Sequence, residues 1–167
     1  KLDKSIFKIS ARSFNISSNR VYSNATTAIY QDGSCDIGNI MFNTSGISPH
    51  GGGDGISFNG DSNQLINSSG YGYIGIRVTG TNQTVNDSIG TSDSLYGFYI
   101  GTSYSRFNRI TGNSSSHTGI ILDGDYNNIT SSYGISTTSH YGIQLYNGDN
   151  NNRLVNNTFR SVSDYAL

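Results

Sequence analysis

The chain has no tryptophan and no glutamate, and only one proline, one cysteine and one methionine in 167 residues. A lone cysteine, Cys35, excludes an intrachain disulfide. It reads as a small buried or loop thiol, with an intermolecular bond as the sharper alternative. Charged residues make up 13% of the chain, and Lys+Arg (10) nearly balances Asp+Glu (11), for a net charge of −1. That balance argues against nucleic-acid binding through bulk charge. No stretch approaches the ~18 apolar residues of a membrane span. Strong helix formers are scarce, which excludes a helical bundle or coiled coil. The chain opens at Lys1 with neither Met nor a signal peptide, as a processed product or a piece of a longer protein would.

Ser (27), Gly (21), Asn (20) and Thr (14) fill the space, with 12 Tyr. Disordered tracts share such a composition, but this sequence is periodic. The phrase Gly-apolar-x-apolar recurs at Gly55-Ile56-Ser57-Phe58, Gly75-Ile76-Arg77-Val78, Gly97-Phe98-Tyr99-Ile100, Gly119-Ile120-Ile121-Leu122 and Gly142-Ile143-Gln144-Leu145, with steps of 20, 22, 22 and 23 residues. Ala28-Ile29-Tyr30-Gln31 is a weaker copy, Phe7-Lys8-Ile9 precedes it, and Ala166-Leu167 begins the next. Residues 1–167 therefore read as one domain of seven rungs: 7–27, 28–54, 55–74, 75–96, 97–118, 119–141 and 142–165.

Each rung is internally ordered. Turn triplets follow the first strand at Asn59-Gly60-Asp61, Thr79-Gly80-Thr81, Asp123-Gly124-Asp125 and Asn147-Gly148-Asp149. A second apolar column follows at Leu65, Val85, Phe107, Ile129 and, with a two-residue slip, Leu154. Asn crowds the same corner, where side-chain ladders along the stack are expected. Period-2 strands turn Ile56 and Phe58 inward and Ser57 and Asn59 outward. One rung cannot bury its own apolar face; stacked rungs can. Seven rungs at ~4.8 Å make a rod of roughly 34 Å. Gln31 interrupts the inward pattern, and the stretch Gly46–Asp54 reads as one long loop.

The phrases Gly119-Ile120-Ile121-Leu122-Asp123-Gly124-Asp125-Tyr126-Asn127-Asn128-Ile129-Thr130 and Gly142-Ile143-Gln144-Leu145 resemble the repeats of NosD-like and pectate-lyase-like proteins. They are most similar to the Asn/Ser/Thr-rich versions on surface proteins and phage tailspikes. The resemblance covers about 28–165 well and implies an all-β, right-handed, single-stranded parallel β-helix. It implies little about function, since lyases, hydrolases, epimerases, adhesins and structural proteins share the repeat. The lyase-like calcium cluster, the Gly-His-Gly phrase and the Asp-Pro-His phrase of its enzymes are all missing.

Three sets of residues are candidates for chemistry. His117, His140 and Asp164 each lie two residues before a rung start and would stack into a general acid/base line, or into solvated corner residues. Asp123, Asp125 and Asp149 would surround Ca²⁺, or simply form turns. Tyr30, Arg77, Tyr99, Asp123 and Tyr146 lie on the outward face of the first strand, where they would stack on and hydrogen-bond a saccharide, or follow β-propensity alone. Asp61 and Asp125 share a column three rungs apart, roughly 14 Å, too far for a glycosidase pair. Nine sequons, headed by Asn15, Asn24, Asn43, Asn67, Asn82, Asn86, Asn113, Asn128 and Asn156, fit a glycosylated secreted chain or the composition alone. The expectation is an extracellular structural solenoid that builds or decorates a surface layer, sheath or filament by pairing with copies of itself at its ends. A saccharide-binding or saccharide-cleaving β-helix fragment is the alternative.

Overall fold

The computed structural model describes residues 7–10, 13–24, 26–32, 38–49, 52–138, 140–146, 148 and 150–162. The chain is an all-β parallel solenoid of about six turns, with three seven-stranded parallel sheets and no helix among the described residues. The first sheet stacks Phe7–Ile9, Ile29–Gln31, Ile56–Phe58, Ile74–Thr81, Tyr96–Ser103, Ile120–Leu122 and Ile143–Leu145. The second stacks Asn15–Ser17, Ile40–Phe42, Gln64–Ile66, Thr84–Asn86, Arg106–Asn108, Asn128–Thr130 and Arg153–Val155. The third runs Arg20–Tyr22, Ser45–Ile47, Ser69–Tyr71, Ile89–Ser92, Thr111–Ser114, Tyr133–Ser136 and Thr158–Ser161.

The repeated phrase sets the register of the first sheet. Ile29, Ile56, Ile76, Phe98, Ile120 and Ile143 lie in one column, and Gln31, Phe58, Val78, Ile100, Leu122 and Leu145 in the next. The second-sheet column Met41, Leu65, Val85, Phe107, Ile129, Leu154 faces them. From Met41 to Ile129 this column is fully buried, and it packs with the first-sheet columns in one core. Leu154 falls in register with Ile129 because the extra residues before it are absorbed in the corner. One alignment differs from the sequence reading: Phe7 pairs with Ile29, not Ala28. Another difference concerns Gly46–Asp54. Gly46 and Ile47 belong to a third-sheet strand paired with Ser69–Tyr71, so the connection is shorter than the composition suggested. Cys35, His50, Asp149, Asp164 and Ala166-Leu167 lie outside the described residues.

Two corners of every turn are made by single residues in the left-handed region. Ser13, Gly38, Ser62, Asn82, Tyr104, Tyr126 and Asn151 bend the chain from first to second sheet; Ser18, Asn43, Asn67, Asp87, Arg109, Ser131 and Asn156 bend it from second to third. Ser, Asn and Asp tolerate this backbone. Tyr does so less readily, and the Tyr104 and Tyr126 rings offset the cost by stacking at 4.9 Å and 3°. The strand Ile74–Thr81 extends through Thr79-Gly80-Thr81, and Gly80 takes there the positive φ expected of the turn glycine, 98°, as Gly60 and Gly148 do at 107° and 100°.

Buried polar side chains follow the first corner and hold successive turns together. Backbone N–H groups of Phe14, Asn39, Asn63, Gln83, Ser105 and Asn127 donate to Asn39 Oδ1, Asn63 Oδ1, Gln83 Oε1, Ser105 Oγ, Asn127 Oδ1 and Asn152 Oδ1 at 2.8–3.2 Å. The Asn ladder expected from the sequence is this one, with Gln83 and Ser105 as equivalents. A second ladder at the next corner links Thr44, Ser68 and Ser88 and resumes from Ile110 through Ser132 to Asn157. Ile110 lacks an acceptor and joins the hydrophobic core instead.

The corner from third to first sheet is built differently. Gly46, Gly70, Gly90, Gly112 and Gly134 of the third sheet face the carbonyls of Gly55, Gly75, Gly97, Gly119 and Gly142 so closely that a methyl group on any of them would overlap the carbonyl oxygen. The glycine that opens each repeat phrase thus serves backbone-to-backbone contact. Val21 and Phe159 take the seam position at the two ends.

Candidate functional site

The outward face of the first sheet carries a linked row of side chains. The pairing Tyr30–Ser57–Arg77–Tyr99–Ile121–Gln144 puts one residue per turn in line. Arg77 Nε donates to Asp54 Oδ2 at 2.7 Å, and the guanidinium lies over the Tyr99 ring, 5.1 Å from its centroid. The Tyr99 hydroxyl donates to Asp123 Oδ2 at 2.5 Å. The Tyr99 ring lies along its own strand over Gly101, where a methyl group would sit 2.6 Å from ring carbon Cε1. Gly101 therefore sets the pose of Tyr99.

A second group joins this row from the glycine corner. The Tyr96 ring stacks on Tyr99 at 6.2 Å and meets the His117 ring edge-on at 5.1 Å. His117 stacks on His140 at 4.0 Å. The Tyr96 and Tyr146 hydroxyls are 3.3 Å apart. Their contact spans the turn that carries Ile121, which is fully buried although its position points outward.

Burial raises the carboxyl of Asp54, with Arg77 acting against it. Burial, then the bond to Asp123, pushes the Tyr99 phenol up to about 12. Burial, then Tyr146, does the same for Tyr96, also to about 12. Both phenols therefore stay protonated donors at neutral pH. His117 is held below the usual imidazole value by burial and then by His140. Its Nδ1 is buried with no partner among the described residues, whereas His140 Nδ1 contacts Thr138 Oγ1 at 3.3 Å.

The structure brings Arg77, Tyr99, Asp123 and Tyr146 together, and joins His117 and His140 to them through Tyr96. Tyr30 stands apart, with Lys8 Nζ 5.9 Å from its ring centroid and paired to Asp32. Asp164 lies outside the described residues. Asp125 Oδ1 accepts the backbone N–H of Asn150 at 2.6 Å. Asp123 is engaged with Tyr99, and no cluster of three His, Cys, Asp or Glu suited to a metal occurs among the described residues. Sequence reasoning missed Tyr96 and Asp54. Both directly precede a repeat glycine, and only that adjacency marked them. Of the sequon asparagines, Asn15, Asn24, Asn43, Asn67, Asn82 and Asn156 are exposed, and Asn86, Asn113 and Asn128 are half-buried. No helix among the described residues is long and apolar enough to cross a membrane.

No family model, curated protein or solved structure matches the chain.

Proposed function

We propose that this chain is an extracellular structural β-helix, of the NosD-like and pectate-lyase-like kind, that forms or decorates a surface layer, sheath or filament and offers its first-sheet face to polysaccharide. Its coil is right-handed, following the strong preference of parallel strand crossovers. The observation that carries the binding reading is the linked row Asp54–Arg77–Tyr99–Asp123 flanked by Tyr96 and Tyr146. Aromatic rings and hydrogen-bonding groups held by their neighbours on rigid strands are what a sugar surface requires. The row's carboxylates, Asp54 and Asp123, belong to turns three apart, about 14 Å, beyond the ~5–9.5 Å of a glycosidase pair. Binding without cleavage is therefore the reading. Titration with a panel of oligosaccharides, followed by NMR, should shift Tyr96, Tyr99 and Tyr146 first. Shifts confined to the second and third sheets would contradict it.

Self-association has its own support. At the last turn Leu145 is 43% exposed, Leu154 and Phe159 are half-buried, and Tyr141, Ile143, Gln144 and Leu145 line an open hollow of about 420 Å³. Ile56–Phe58, in the same sheet, is fully buried. A second copy stacked on this end, or further turns of a longer parent chain, would pair strand edges and cover the apolar section. Sedimentation velocity should show concentration-dependent oligomers that Leu145→Asp abolishes. A monodisperse monomer at high concentration would overturn this part. Export through a glycosylating pathway would raise the intact mass above 18.0 kDa, with sugar on exposed sequons such as Asn82; the bare polypeptide mass would refute that.

A further inference from the structure

Among the described residues the first-sheet face carries two cations against three carboxylates, and that excess selects among sugars. The described cations on this face are both engaged by carboxylates: Lys8 by Asp32 at 2.9 Å and Arg77 by Asp54 at 2.7 Å. Arg106 and Arg153 lie on second-sheet strands, and Arg20 and Arg160 on third-sheet strands. A uronate or sulfated sugar on the first sheet would meet Asp123 and Asp32 with no unengaged cation among the described residues of that face to receive it. Recruiting Arg77 would strip a buried carboxylate of its counter-charge, since the Asp54 side chain is only 8% exposed. Burial, and then the neighbouring His140, hold the His117 imidazole below its usual value, so His117 adds no charge at neutral pH.

What the face does present suits uncharged hydroxyls. The tyrosines supply rings and hydroxyls, Gln144 an amide, and Asp123 a carboxylate acceptor already oriented by Tyr99. A carboxylate accepting from sugar hydroxyls forms the stronger, charge-assisted kind of hydrogen bond, and rings lie against the apolar faces of pyranoses. Tyr96 and Tyr146 lie two turns apart and touch through their hydroxyls, so the aromatic strip runs along the rod axis.

Building on the saccharide-binding reading above, we propose that this strip takes a neutral glycan chain of hexose units, aligned with the rod, and rejects uronate and sulfated polymers. Gly101 is the positioning residue, because it lets the Tyr99 ring lie flat. The test is NMR and calorimetric titration of the whole chain with gluco-, manno- and galacto-oligosaccharides, and with oligogalacturonate and oligomannuronate of matched length. The expected result is binding of at least one neutral series at Tyr96, Tyr99 and Tyr146, insensitive to salt, with no response to the oligouronates. Gly101→Ala, which removes no functional group, should weaken it about tenfold. Tyr146→Ala, at an exposed site, provides the same test should Gly101→Ala misfold. Tighter binding of an oligouronate at these tyrosines would overturn the neutral class while leaving a saccharide face. Silence from both series would overturn both.

Discussion

Each turn of the rod has a constant arc and a variable one. Between its two left-handed corners the chain always spends five residues: Ser13 to Ser18, Gly38 to Asn43, Ser62 to Asn67, Asn82 to Asp87, Tyr104 to Arg109, Tyr126 to Ser131, Asn151 to Asn156. From the second corner to the next turn's first it spends between 15, from Asn67 to Asn82, and 20, from Ser131 to Asn151. The constant arc carries the second-sheet column and the buried side-chain ladder, so each of its positions is fixed by the turns above and below. The variable arc crosses the glycine seam, and its slack lies in the loops after the third sheet and, in the last turn, in the corner before Asn151. Tyr96, His117, His140 and Asp54 all come from this arc. Regularity holds the rod together, and irregularity beside a rigid sheet makes room for a site.

The sharpest way to break this contrast is insertion. One Gly inserted between Phe107 and Asn108 would turn following side chains to the wrong face and should abolish folding, read as loss of the β circular-dichroism spectrum and aggregation. The same insertion between Ser115 and Ser116, in an exposed loop, should leave the spectrum intact, at a cost of a few tenths of a kcal/mol in loop closure.

Substitution gives the next largest effect. Phe107→Ala, in the fully buried column, should cost about 3–5 kcal/mol in urea unfolding. Tyr104→Gly, at a 60% exposed corner with φ of 57°, should cost less than about 1 kcal/mol, because glycine relieves the left-handed backbone as it gives up the ring stacking. Between these two falls Gly90→Ala. Its new methyl would meet the Gly97 carbonyl, and overpacking of that kind costs about 1–3 kcal/mol. An unchanged unfolding midpoint would remove the close-contact explanation of the repeat glycine.

The mildest effect is on pH. The folded chain holds the His117 imidazole below its usual value, so the unfolded chain binds that proton more readily. Its contribution to stability is full above about pH 6.5 and is lost as pH falls through the window below. Thermal melts across this range should show a small acid-side loss that His117→Gln reduces.

These contrasts explain which parts of the fold were legible in the sequence. The first and second sheets were, because Ile56, Ile76, Phe98 and Ile120, and Leu65, Val85, Phe107 and Ile129, recur as apolar columns. The third sheet was not located, because its seam column is glycine from Gly46 to Gly134 and no apolar column marks it. The Tyr104 and Tyr126 corners escaped because tyrosine seldom turns left-handed. In the candidate site, Arg77, Tyr99, Asp123 and Tyr146 followed from strand alternation. Tyr96 and Asp54 directly precede a repeat glycine, a position shared by Ile74, Thr118 and Tyr141 that no common residue type marks.

The most direct test of the constant arc is a set of backbone NOEs in an isotope-labelled sample. Cross-strand contacts should run Leu65 to Val85, Val85 to Phe107 and Phe107 to Ile129 in parallel register, with matching contacts from Asn67 to Asp87 and from Asp87 to Arg109 at the corner. Antiparallel pairing, or NOEs confined to hairpins within a rung, would contradict the account.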